Sequence, residues 1–359
     1  MTRIRGADAE TVRRALDADD PLPGTTGFAG VLDGNLVRDV LGRQPVFGTP
    51  GDWGFAPDDV AGEPRPVPAG HVRDADGADR RVWSLPDRPV ENEDTAAVDA
   101  VRRAVDDALT SLDDAGLAVA FSGGVDSALV AAGVPDAPCY VVGFPDAHDV
   151  AAARDAAAAM DRELRVLELT HAALERAVPD VVAATGRTNA MDVCIALPLY
   201  LVAERVAADG YDRLALGQGA DELFGGYAKV VDPADDDRVD ATTVRGATRE
   251  VIGSLPDQLE RDVLTLRAAG VEPAVPLLAD GVVEAALPLP DHLLATGDER
   301  KVALRRAARD WLPESVVAVD KKAVQYGSLV SRELDRLARQ AGFKRRMDRH
   351  VDQYVESLL

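Results

Sequence analysis

Four short apolar runs limit what this chain can fold into more than any other feature. LAVAF (117–121), CYVVGF (139–144), LRVLEL (164–169) and RLALG (213–217) are apolar at most positions, and helical spacing fills the stretches between them. A strand that is apolar on both faces needs cover on both faces, and strands joined by helices run parallel. The predicted fold is therefore α/β, a parallel sheet with helices on both faces. TAAVDAVRRAVDDALTSL leads into the first strand; it predicts a helix capped by Thr95, with Val98, Val101, Val105, Ala108 and Leu112 on one face. Further helices are predicted over 126–132, stopped near Gly133, Val134 and Pro135, over DVAAARDAAAAM, and over 171–184 and 192–208.

The flanks read differently. Over residues 20–92 the pieces GFAGVL, LVRDVL, PVFG, WGFA and RRVWSL stand between turns rich in Gly, Pro and Asp. That pattern predicts a small β-rich N-terminal segment. Beyond Tyr227 the pattern is helical, with loops near Pro256, between Pro273 and Pro276, and between Pro288 and Pro290. The chain thus divides into residues 1–92 and 93–359, a length in keeping with two domains.

The stretch AFSGGVDSALV sets Ser122, Gly123, Gly124, Asp126 and Ser127 where the first strand turns into a helix. In an open parallel sheet, ligands bind beyond the carboxyl ends of the strands. Glycines let a backbone approach an anion closely, and the turn and helix N-terminus aim N–H groups at it. Ser122 and Ser127 add hydroxyl donors. Asp126 would repel a bare anion and fits if Mg²⁺ lies between them. The chemistry is that of a magnesium-bound phosphate chain. A plain turn capped by Asp and Ser would need neither both serines nor the strand–loop–helix setting. A second glycine-rich turn, LALGQGADELFGGY, follows the fourth apolar run with Gly217, Gln218, Gly219, Asp221 and Glu222. Asp221 is placed to be a second carboxylate on the same magnesium.

SGGVDS after a strand resembles the pyrophosphatase loop of the ATP-pyrophosphatase (PP-loop) group, enzymes that cleave ATP between the α- and β-phosphates. Together with GQGADELFGGY it resembles the synthetase domain of asparagine synthetases and of the related β-lactam synthetases, where the second loop reads G-x-G-A/S-D-E-x-x-G-G-Y. YVVGFPDAHDVAAARDAA, TNAMDVCIALPLYLVAE, GVEPAVP and KVALRRAARDWLPESVVAVDKKAVQYGS resemble further parts of that family. The resemblance covers roughly residues 95–331 and implies an adenine nucleotide alpha hydrolase-like fold acting on ATP with Mg²⁺. It implies that Asp126 and Asp221 ligate the metal and that the turn from Ser122 to Ser127 holds pyrophosphate, with Gly217 and Gly219 nearby. Val142 and Gly143 would meet the adenine. Lys321, or its neighbour Lys322, would meet the α-phosphate; the position of Gly327 favours Lys321. Gln218 would lie near the acyl substrate, and Glu272 takes the acidic position of GVEPAVP. The implied reaction is attack of a carboxylate on the α-phosphorus to give an acyl-adenylate, which ammonia or another amine opens to an amide.

The chain departs from that pattern in three places. Gln218 stands where asparagine synthetases usually carry Glu and β-lactam synthetases Tyr, so the acyl substrate, with aspartate one candidate, stays open; an amide can bind by hydrogen bonds but cannot act as a base. Pro273 and Ala274 stand where asparagine synthetases tend to carry a basic residue. Full-length asparagine synthetases begin Met-Cys and use that cysteine to hydrolyse glutamine, whereas Thr2 stands here. GFAGVL, LVRDVLGRQPVF, WGFAPDDV and VPAGHV still resemble glutaminase strands, in order. The N-terminal segment therefore reads as a shortened glutaminase-like remnant in which Arg38 and Asp39 are structural. Ammonia is expected to come free, from a separate glutaminase, or as another amine.

Composition narrows the partners. The net charge of −22, from 40 basic and 62 acidic residues, repels nucleic acid, and the only marked basic cluster is Lys344, Arg345 and Arg346. Abundant Asp and scarce Lys also suit a protein solvated in concentrated salt, a halophilic expectation. Cys139 and Cys194 sit in apolar runs and read as buried thiols, and the five histidines lack ligand spacing. MTRIRGADAE lacks the apolar core of a signal peptide, and no membrane span is expected, so a cytoplasmic protein is anticipated. A homodimer is left open. The competing readings are another PP-loop ATP pyrophosphatase modifying a tRNA base or cofactor precursor, and a non-catalytic nucleotide-binding regulator.

Overall fold

The turn-rich N-terminal part forms two small antiparallel sheets from eight strands: β1 (Arg3–Arg5), β2 (Ala29–Leu32), β3 (Asn35–Arg38), β4 (Phe47–Thr49), β5 (Asp52–Gly54), β6 (Arg65–Pro66), β7 (His71–Arg73) and β8 (Asp79–Arg81). Their orders are β1-β2-β3-β7-β8 and β5-β4-β6. Asp33 and Gly34, both at positive φ, make the two-residue turn that folds β2 back on β3. A helix the sequence reading did not foresee, Ala9–Ala18, is capped by Asp8, whose carboxylate accepts from the Thr11 N–H at 2.8 Å. It lays Val12 and Ala15 onto Phe28, Val37 and Trp83. These elements belong to one of two compact units, made of Met1–Leu112, Gly217–Glu260 and Val275–Asp310. The computed structural model describes residues 2–319 and 324–359.

In the same unit the helix Asp94–Thr110 packs against the helices Asp280–Ala286 and Val302–Ala308. Its buried stripe is Ala97, Val101, Val105 and Leu109, a strict four-residue repeat. The expected Val98, Ala108 and Leu112 are only half-buried. The N-cap is Glu93 rather than Thr95, and its side chain makes no capping bond. The predicted mix of three- and four-residue steps keeps to one line along the helix, whereas the observed four-residue steps each advance about 40° and wind the stripe around it; the two share Val101 and Val105.

The second unit, Asp113–Leu216, Arg261–Ala274 and Trp311–Leu359, holds the parallel sheet. Its strands are β9 (Leu117–Ala120), β10 (Cys139–Gly143), β11 (Leu164–Glu168), β12 (Arg213–Ala215) and β13 (Glu272–Ala274), in the order β11-β10-β9-β12-β13. All four pairings are parallel. The helices Val125–Gly133, His148–Ala159, His171–Thr185 and Ala190–Ala208 alternate with the first four strands, as expected of an α/β fold. β13 lies where a proline loop was expected. It sits at the sheet edge, where a strand tolerates Pro273. From β9 the chain runs outward through β10 to β11, then returns to place β12 on the other side of β9. That reversal is a topological switch point, where such sheets open a crevice at the strands' carboxyl ends.

Candidate functional site

The turn after β9 is fixed by its own hydroxyls and by one glycine. Phe121 N–H donates to Tyr140 O at 2.7 Å, carrying the β9–β10 pairing up to the turn. Gly123 then adopts φ +78°, and a Cβ there would fall 2.4 Å from Ala152 O. Both facts demand glycine. Gly124 caps the helix Val125–Gly133. The Ser127 hydroxyl donates to Gly124 O at 3.1 Å, and the Ser122 N–H donates back to Ser127 Oγ at 3.2 Å. Asp126, in the first helical turn, is buried with only 6% of its surface exposed. The turn thus combines hydroxyls, helix N-terminal amides and a shielded carboxylate, a set of hard oxygen donors suited to magnesium-bound phosphate.

Beyond β10, the loop from Gly143 to His148 borders a cavity of about 480 Å³, also lined by Arg154, Val166 and Glu168. Val142 is buried within β10, and Gly143 opens onto the cavity at the strand's carboxyl end. Phe144 N–H donates to Ser328 O at 3.2 Å, tying the chain just past residues 321 and 322 to this loop. Lys321 and Lys322 lie outside the described residues.

In the other unit, GQGADELFGGY forms a second tight turn. Gly219, at φ +96°, starts the short helix Ala220–Leu223, and Glu222 folds back to accept the Gly219 N–H at 3.1 Å. The Tyr227 hydroxyl donates to the other oxygen of Glu222 at 2.6 Å. Burial, and next the adjacent Asp221, push the Glu222 carboxyl up to about 7. Asp221 Oδ1 pairs with Lys301 Nζ at 2.7 Å. Gly226 makes that contact possible, because a Cβ there would lie 2.0 Å from Asp221 Oδ1. Arg300 Nη1 donates to Gly226 O at 2.9 Å, so two consecutive cations secure this turn.

The structure gathers Ser122, Gly123, Gly124, Asp126 and Ser127 in one turn, and Gly217, Gln218, Gly219 and Asp221 in another. It does not bring Glu272 to the carboxyl ends of the strands. Glu272 pairs with Arg213 at the start of β12, which in turn pairs with Leu117 at the start of β9. It therefore lies at the amino-terminal edge of the sheet, opposite the turn that bears Asp126, and it is held by Arg267 at 3.0 Å. Several residues of extended strand, each about 3.3 Å long, separate the two edges. The sequence assigned no role to Lys301 and placed Glu222 in the turn without one. The available signal for Lys301 was scarcity, since Lys229, Lys301, Lys321, Lys322 and Lys344 are the chain's only lysines.

Among the described residues, no group of three or more His, Cys, Asp or Glu side chains could hold a metal ion. A cation here would be held by single carboxylates and phosphate oxygens, the usual habit of Mg²⁺. Cys139 and Cys194 are buried, and burial pushes their thiols up to about 11 and about 12. No helix among the described residues is long and apolar enough to cross a membrane.

Comparison with known proteins agrees with this architecture. Residues 97–249 and 236–355 match the family described as asparagine synthase. "Putative asparagine synthetase (glutamine-hydrolyzing) 1" of Methanocaldococcus jannaschii is 29% identical over 290 residues, 70% of this chain and 53% of that protein. Asparagine synthetase B (glutamine-hydrolyzing) of Escherichia coli strain K12 is 24% identical over 249 residues, 63% of this chain and 44% of that protein. The chain spans about half the length of the curated relatives it matches. With the family match covering most of its length and a parallel sheet bearing the glycine turn at its switch point, the chain belongs to the asparagine synthase family.

Proposed function

We propose that this protein is an ATP-dependent carbon–nitrogen ligase that forms AMP. It activates a carboxylate as an acyl-adenylate, releases pyrophosphate, and passes the acyl group to ammonia or another amine. The observation that carries this reading is the buried Asp126 in a hydroxyl-lined turn at the carboxyl end of β9, beside the switch to β12.

On this reading Ser122, Ser127 and the amides of the turn bind the β- and γ-phosphates. Gly143 and the cavity beyond β10 take the adenine, with apolar walls from Phe144, Val150 and Val166 for the ring and Arg154 and Glu168 as polar partners. Asp126 and Asp221 each offer a carboxylate to the nucleotide's magnesium. When bound, that ion offsets phosphate charge and stabilises the leaving pyrophosphate. Lys301 pairs with Asp221 and fixes the direction of its carboxylate. Lys321 or Lys322 neutralises charge growing at the α-phosphate, a role whose removal typically costs 10²–10³-fold in rate. Gln218 orients the acyl substrate by hydrogen bonds. Neither buried thiol suits glutamine hydrolysis, because the thiolate is the nucleophile and burial disfavours it. On this reading the amine is free ammonia, ammonia from a separate glutaminase, or another amine.

The test is a turnover screen with ATP, Mg²⁺, ammonia and a panel of carboxylic acids that includes aspartate. The reading expects pyrophosphate release that depends on one acid. Repeating the reaction with that acid labelled with ¹⁸O in its carboxylate should place one ¹⁸O in AMP. Release that ignores every carboxylate, or unlabelled AMP, would count against it.

A further inference from the structure

A fully buried ion cluster that the proposed chemistry leaves unused joins the N-terminal segment to the helix Asp280–Ala286. Arg43 and Asp39 have no exposed side-chain surface, and Asp280 has about 1%. Arg43 Nε donates to Asp39 Oδ1 at 2.8 Å, and the Arg43 backbone N–H donates to Asp39 Oδ2 at 2.9 Å. Nη1 donates to Leu278 O at 2.7 Å and stands 2.7 Å from Asp280 Oδ1 as an ion contact outside hydrogen-bonding alignment. Asp280 Oδ2 in turn accepts from the Thr25 N–H at 2.7 Å and the Thr25 hydroxyl at 3.1 Å. Burial lowers the basicity of Arg43, and Asp39 with Asp280 more than offsets it, so the guanidinium stays charged.

The Leu278 carbonyl that Arg43 holds leads directly to the second glycine turn. The Leu278 side chain is buried against Gly219, and a Cβ on Gly219 would lie 2.4 Å from Leu278 Cγ. Gly219 lies between Gln218 and Asp221, and its N–H is held by Glu222. Apolar packing alone could stabilise this junction as well as buried charges do. The guanidinium adds direction, because Nε is committed to Asp39 and Nη1 to the Leu278 carbonyl, with Asp280 pairing as a charge and Nη2 left without a partner.

Resting on the ligase reading above, we infer that Arg43 is a positioning residue, which sets the Gly217–Asp221 turn through Leu278. The segment that resembles a glutaminase remnant then serves the synthetase chemistry as its brace.

The test compares wild type with Arg43→Met, Leu278→Val and, as control, Arg13→Ala, which removes an exposed pair with Asp33 in the same segment. Amide hydrogen exchange is followed in the peptide covering 217–224, with the peptide covering 101–109 as internal reference. The inference expects exchange in 217–224 to accelerate at least tenfold in Arg43→Met while 101–109 changes less than twofold. Leu278→Val keeps the ion cluster and trims the contact with Gly219, so it should show the same local acceleration if Arg43→Met fails to fold. Pyrophosphate release should lose at least tenfold in kcat with KM for ATP within threefold. Wild-type exchange in 217–224 in a folded Arg43→Met, or in Leu278→Val where the first does not fold, overturns the inference. So does acceleration spread equally over both peptides. If wild type releases no pyrophosphate, the ligase reading fails while the exchange comparison still decides this one.

Discussion

Replacing Glu222 by Gln should change how stability depends on pH. Glu222 is 4% exposed and accepts from Gly219 N–H and the Tyr227 hydroxyl. Burial, then Asp221, raise its carboxyl from 4.5 to about 7. Between those values the folded protein keeps a proton that the unfolded chain has released, so stability falls as pH rises. The contribution is fully present below pH 4.5 and gone above pH 7. At about 1.4 kcal/mol per pH unit, that window amounts to roughly 3 kcal/mol. Glutamine has the same shape, stays neutral, and can still accept the Gly219 N–H. Urea unfolding followed by circular dichroism, without magnesium, should show the advantage of Glu222→Gln over wild type growing by about 3 kcal/mol from pH 4.5 to pH 8. Taking the difference cancels the titration of groups that do not interact with Glu222, leaving that of Glu222 with Asp221 and Lys301 beside it. An advantage constant to within about 0.5 kcal/mol across that range would refute the argument that burial holds this carboxyl protonated.

Other outcomes follow from the same geometry. Gly123→Ala should destabilise by roughly 2 kcal/mol from the left-handed backbone alone, with the collision at Ala152 O adding to it, and should abolish ATP binding in calorimetry; wild-type affinity would contradict the site. Asp126→Asn and Asp221→Asn should each lower pyrophosphate release by about 10²-fold or more while leaving the circular dichroism spectrum unchanged. Cys139 and Cys194 should resist iodoacetamide at pH 8 until denaturant is added, and mass spectrometry showing rapid labelling of the folded protein would overturn their burial. With a net charge of −22, the melting temperature should rise toward molar KCl, and a flat or falling curve would remove the halophilic expectation.

How much of this was legible in the sequence depends on the scale of the forces involved. β9 and β10 announced themselves because strands covered on both faces are apolar, whereas the edge strand β11 carries Arg165 and Glu168 and buries no residue fully. β13 did not, because Glu272, Pro273 and Ala274 have no strand propensity, and only pairing with β12 makes them one. The helix Ala9–Ala18 was hidden in a polar stretch, although the Asp8–Thr11 cap was its signature. The Asp126 turn was readable because its chemistry is local, six consecutive residues between a strand and a helix. Lys301 was not, because its partner Asp221 lies eighty residues earlier and meets it only after folding. Glu272 was legible as a motif position, but its place at the start of β13 followed only from the strand register.

The ligase chemistry is decided by which bond of the nucleotide breaks. Phosphorus NMR of ATP and Mg²⁺ incubated with the protein, ammonia and the acid that supports turnover distinguishes the two possible bonds. AMP and pyrophosphate appearing in equal amounts is the predicted result. ADP with inorganic phosphate, or ATP left intact with every acid tried, would contradict it.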